Sequence, residues 1–190
     1  MSRFNVELML TYAADAGPIR NLYPLFLHDV ASYEHKPPNR HGVLSDGDER
    51  TWDELLDRNA VWWERPGVLF PYLIRVDGVP VGFDLIASGP FVPTSGVDFV
   101  AHEFFVAHAW RGTGVAADAA RMGIARHRGA WEVATWTTAP RAIAFWRKTL
   151  PGCASRELRE TEEDHPWGRR VVFRFDNLIE PSSPRSECDT

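Results

Sequence analysis

Apolar and polar residues alternate over 5–12, "NVELMLTY", the period of a strand with one buried face. The period then lengthens. Ile19, Leu22, Phe26, Val30 and Tyr33 recur at spacings of three and four, which predicts an amphipathic helix opening near Asp15 and Pro18. Pro24 lies inside it without the N–H its helical bond needs, and is expected to kink or divide the helix. Residues 34–50, "EHKPPNRHGVLSDGDER", have no period and many turn formers, so they read as a loop within a domain. The "DGDE" inside that loop lacks the ligand spacing of a calcium site. Thr51 followed by Glu54 is a capping box, opening a helix over 51–64.

The next apolar runs, 71–87, predict a hairpin turning at Asp77-Gly78, a pair suited to a type I′ turn. A strand follows over 97–106, then a glycine turn, a small-residue helix over about 114–128 and a strand over 131–137. Thr138 and Pro140 open another helix, with Ile143, Trp146 and Leu150 on one face. "SRELRE" and "RRVVFRFD" (169–176) read as a closing antiparallel pair. The resulting order, β-α-α-β-β-β-α-β-α-β-β, is a mixed α/β layer structure in one domain over 1–178, with a tail at 179–190 expected to be disordered.

A net charge of −5 argues against nonspecific nucleic-acid binding and is compatible with a neutral or cationic small partner. Cys153 and Cys188 stand far apart with no metal-ligand spacing, so neither a disulfide framework nor a metal site is expected. No run approaches membrane-spanning length, and a cytoplasmic protein is the expectation. A homodimer stays open.

The stretch "EFFVAHAWRGTGVA" (103–116) carries the chemistry. It leads an apolar strand through Arg-Gly-Thr-Gly into a helix start, where N–H groups are unpaired and the helix end is partly positive. Gly112 and Gly114 let backbone approach a ligand, and Arg111 adds a permanent charge, so the turn suits a phosphate. A plain tight turn is the alternative for such a short motif. No Walker loop and no dinucleotide fingerprint is present.

The pattern Arg111-Gly112-Thr113-Gly114-Val115-Ala116, followed by "APRAIAFWRKTL" (139–150), resembles the GNAT superfamily of N-acetyltransferases, and the element order from about 5 to 176 agrees. The resemblance implies an α+β fold: a central mixed, mostly antiparallel sheet, splayed between the strands at 97–106 and 131–137, with helices on both faces. It implies acetyl-CoA as co-substrate, its diphosphate on the amides from Arg111 to Ala116 and its pantetheine arm along Phe104, Phe105 and Val106. It also sets Ala142, Phe145 and Trp146 of the late helix beside the coenzyme, and implies that an amide near Val106 polarises the thioester carbonyl. Two residues depart from the family. Trp146 occupies the place of the usual Tyr acid, and Ala139 that of the usual Asn.

An ammonium must lose a proton before it attacks, and two residues of the cofactor strand are candidates for the base. Glu103 interrupts an apolar run, where a charge is costly to bury, and is favoured; a paired structural carboxylate is its plain alternative. His102 is the runner-up. Strand alternation sets the two on opposite faces, barring a bulge. The resemblance draws the acceptor site from Asp29, Tyr33, Glu34, His35, Trp52, Trp62 and Trp63, with Asp84 as an addition; carboxylates and rings together suit an organic cation. Each of these, taken singly, also has a purely structural explanation. The chain is similar to the branch that includes kasugamycin-type aminoglycoside 2′-N-acetyltransferases, which implies a small-molecule amine acceptor. A protein or peptide amine, or a noncatalytic acyl-CoA-binding module that kept the turn and lost the chemistry, are the alternatives.

Overall fold

The computed structural model describes residues 4–45, 47–164 and 168–178. The chain runs β1 (Val6–Leu10), α1 (Gly17–Glu34), α2 (Trp52–Arg58), α3 (Val61–Glu64), β2 (Leu69–Val76), β3 (Val79–Ser88), β4 (Phe99–Val106), α4 (Val115–Arg126), β5 (Ala130–Trp136), α5 (Pro140–Thr149), β6 (Arg159–Glu163) and β7 (Arg170–Asp176). The strands form one seven-stranded sheet in the order β1-β2-β3-β4-β5-β7-β6. Every neighbouring pair is antiparallel except β4 with β5. The β2–β3 hairpin turns at Asp77 and Gly78, both with positive φ, as a type I′ turn requires.

Alternation in the strands yields two apolar faces, each covered by helices. On one, Ile19 and Tyr23 of α1, Leu56 of α2 and Trp62 of α3 pack on Leu73, Phe83, Leu85 and Phe105. On the other, Val115, Ala119 and Ile124 of α4 and Ile143 and Trp146 of α5 pack on Ile74, Ile86, Val133 and Phe173. No helix among the described residues is long and apolar enough to cross a membrane.

Three local expectations are corrected. Helix α1 runs unbroken past Pro24, because Ile19 and Tyr23 before it and Phe26 after it are seated on the sheet, and that burial outweighs one lost backbone bond. The helix expected over 51–64 divides into α2 and α3 at Asn59 and Ala60. Thr51 does cap it, its side chain accepting from the Glu54 N–H at 3.2 Å, while Glu54 reaches back to the Arg50 N–H at 2.7 Å. The first partner of the closing pair begins at Arg159, so most of "SRELRE" precedes the strand. The tail at 179–190 lies outside the described residues.

Candidate active site

Strands β4 and β5 pair only at Phe99↔Trp131, Val100↔Glu132 and Ala101↔Val133. Beyond Ala101 they diverge, since β5 keeps its register with β7 up to Trp136 while β4 stays with β3 up to Val106. The notch opens into a cavity of about 620 Å³ bounded by the freed ends of both strands, the start of α4, one face of α5 and the second half of α1.

The turn into α4 forms the floor of one end. Gly112 and Gly114 have φ of 76° and 96°, a left-handed region where a Cβ would be strained. The Thr113 hydroxyl donates to the Trp110 carbonyl at 2.7 Å and closes the loop. The backbone N–H groups of Gly112 through Ala116 donate to no acceptor among the described residues, so five adjacent donors stay unspent at the start of a twelve-residue helix. Arg121, Arg141 and Lys148 line the same end.

Arg111 departs from expectation. Its N–H donates to the His108 carbonyl at 3.1 Å, its Nε donates to the Val106 carbonyl at 2.8 Å, and Nη2 is ion-paired with Asp29 of α1. The guanidinium also sits 5.6 Å from the centre of the Phe105 ring. Arg111 thus ties the end of β4 to α1, its amide, Nε and Nη2 all engaged within the protein while the residue still lines the cavity.

The expected separation of His102 and Glu103 is also overturned. Leu85 pairs with Glu103 and Ile86 with Ala101, so His102 is an extra residue in a bulge and alternation slips by one. Both side chains therefore meet the helices α1 and α3. The His102 ring meets Trp62 edge-on, 5.5 Å between centres. Tyr23 of α1 donates its hydroxyl to Glu103 Oε1 at 2.9 Å, and His102 Nδ1 lies 3.8 Å from that oxygen. Oε2 of Glu103 is buried with no hydrogen-bond partner. Burial pushes the Glu103 carboxyl up to about 7, with the Tyr23 hydrogen bond pulling the other way. Desolvation against Trp62 and Glu103 lowers the pKa of the half-exposed His102 ring. Burial and the adjoining carboxylate raise the Tyr23 phenol, which stays a donor.

Solved structures of the same architecture are numerous at low identity. An acetyltransferase from Thermus thermophilus aligns at a TM-score of 0.65 and 15% identity, over 93% of this chain and 99% of its own. The aminoglycoside acetyltransferase AAC(6')-Ib, solved with coenzyme A and kanamycin, aligns at 0.60 and 14% identity, over 90% and 95%. A GNAT superfamily phosphinothricin acetyltransferase from Sinorhizobium meliloti, solved with acetyl-CoA, aligns at 0.57 and 16% identity, over 90% and 88%. This chain has the GNAT fold. No family model and no curated protein matches the sequence.

Within that GNAT fold, Phe104, Phe105, Val106, Gly112, Gly114, Ala116, Ala142, Phe145 and Trp146 line the cavity, as do His102 and Glu103. Phe104 stacks on Phe145 at 5.7 Å and meets Trp146 at 5.3 Å, fixing the α5 wall. Thr113 and Val115 do not line the cavity, and the Val115 side chain is wholly buried between α4 and the sheet. Ala139 precedes α5 without a side-chain cap.

The acceptor residues divide. Asp29 and Tyr33 line the cavity. Glu34 lies behind its wall, accepting from the Trp136 indole N–H at 2.8 Å, while the Arg170 guanidinium covers the Trp136 ring at 3.9 Å. The other five do not line it. His35 ends α1 in a left-handed conformation and faces a separate shallow hollow. Trp52 stands at the start of α2, and Trp63 donates to Thr11 Oγ1 at 3.1 Å beside β1. Asp84 projects to the opposite face of the sheet, beneath α4. Trp62 is core that supports His102. Tyr23, the partner of Glu103, was missed from sequence, although it lies four residues from Ile19 on the buried stripe. Trp136 was also missed, as were the three cations; single residues on a strand end or helix carry no motif.

Proposed function

We propose that the protein is an acetyl-CoA-dependent N-acetyltransferase acting on a small primary amine. One observation carries this: a single cavity is lined both by Gly112, Gly114 and Ala116 of the turn into α4, where the amides are unspent, and by Glu103 on the freed stretch of β4. The residues fit the coenzyme. Five N–H donors at a helix start suit a diphosphate, Arg121, Arg141 and Lys148 suit further phosphate charge, and the unpaired edge of β4 suits an extended amide-bearing arm.

Acetyl-CoA supplies an acetyl group activated as a thioester. The chain's own part is to bind the amine as its neutral base. Glu103 takes the ammonium proton, Tyr23 fixes the carboxylate through Oε1, and a carboxyl poised near 7 is ionised often enough to accept while remaining a competent base. The N–C bond then forms as the C–S bond breaks, the nitrogen sheds its second proton to solvent, and the electron pair leaves on sulfur. Trp146 has no acidic proton to give, so the thiolate departs as such or takes a proton from water.

Trp146 and Ala139 also favour a second reading, a noncatalytic acyl-CoA-binding module. Calorimetric titration with acetyl-CoA, followed by thiol release across an amine panel, separates the two. Binding with release supports the enzyme, binding without release supports the module, and no binding overturns both. Mass spectrometry of the panel, which includes kasugamycin, kanamycin and a peptide amine, reads the acceptor as a gain of one acetyl group.

A further inference from the structure

The acceptor end of the cavity offers far less negative charge than the sequence promised. Asp29 is consumed by its ion pair with Arg111. Glu34 lies 3.9 Å from the Lys36 ammonium and accepts the Trp136 N–H behind the wall. Among the described residues Glu103 is the one cavity-lining carboxylate with no cation paired to it. The rest of that wall holds no further carboxylate: Phe26, Val30, Phe105 and Trp136 give apolar or ring surface, beside the polar Tyr33, His108 and Thr135.

Each ammonium brought into such a site must find a counter-charge or lose its hydration without compensation. The Trp136 ring does not substitute for one. The Arg170 guanidinium already occupies one face of it, and a second cation on the other face would be repelled by the first. What the ring still offers is flat apolar area.

We propose that the acceptor is a primary amine with a single cationic nitrogen on an apolar, ring-sized body, and that polycations are poor acceptors. This rests on the acetyl transfer proposed above. Glu103 receives the one ammonium, and the body lies against Phe26, Val30 and Trp136.

The test is to compare phenethylamine with kanamycin and spermine on the full chain, in both binding and turnover. Acetyl-CoA binding is checked separately by calorimetry, so that loss of the coenzyme reading is distinguishable from loss of the acceptor class. The expected result is a kcat/KM for phenethylamine about tenfold or more above either polycation, and tighter binding of phenethylamine alone by tryptophan fluorescence. Equal or better turnover of kanamycin or spermine overturns the proposal. So does coenzyme binding with no acetylation of phenethylamine. Val30→Asp, which adds a free carboxylate to the wall, is expected to narrow the preference; an unchanged ratio in a variant that still binds acetyl-CoA also overturns it.

Discussion

Two carboxylates buried in neighbouring strands, Glu103 on β4 and Asp84 on β3, share nearly everything that sequence or charge alone records. Each is displaced upward by burial, to about 7 and about 8, and each has one oxygen with no hydrogen-bond partner. Their surroundings divide them. Glu103 lines the cavity, and Tyr23 holds its other oxygen. Asp84 is sealed under α4 where Gly123 leaves room for it; a Cβ on Gly123 would lie 2.4 Å from Asp84 Oδ2. Desolvation makes an acid hard to ionise, but only access to a substrate makes it a base.

The sharpest attack on this contrast is Glu103→Gln. It is expected to lower kcat by about a hundredfold or more with the acetyl-CoA Kd unchanged, as steady-state kinetics and calorimetry would show. Asp84→Asn in the same assay is expected to leave turnover intact, and a comparable loss there would erase the distinction. The pH profile sharpens it further. Activity should rise with pH through about 7 as Glu103 ionises. Tyr23→Phe removes a hydrogen bond that favours the ionised form, so the midpoint should move upward and activity at pH 7 should fall several-fold.

Asp84 should announce itself in stability instead. Its proton is held more tightly in the folded chain, so the contribution is complete below the ordinary carboxylate range and is lost as pH rises through about 8. Asp84→Asn keeps a neutral group at every pH. Its Tm relative to the native chain should therefore climb by a few degrees between pH 5 and 8 in thermal melts. Gly123→Ala is expected to cost about 1–3 kcal/mol in denaturant titrations, with less lost in an Asp84→Ala background that makes room for the new methyl.

Much of the α4 end of the cavity was legible in sequence. Gly112, Gly114 and the small residues that follow are needed wherever backbone itself forms the binding surface, and backbone geometry is a local property. Phe145 and Trp146 came from the resemblance that 139–150 carries, which is likewise a contiguous stretch. Arg111 shows the limit. Its charge was visible, but the choice between a phosphate and Asp29 depended on a helix more than eighty residues earlier.

The chain's own order of apolar and polar residues determined the strands, the major helices, the hairpin at Asp77-Gly78 and the phosphate-type turn, because each is set by steric and periodic rules acting over a few neighbours. Tertiary structure alone decided that α1 continues through Pro24, that a bulge turns His102 and Glu103 to one face, and that Tyr23 meets Glu103. It also decided which acids are neutralised, and so what the cavity is able to hold. These outcomes follow from burial and pairing between distant segments, and no local window of sequence contains both partners.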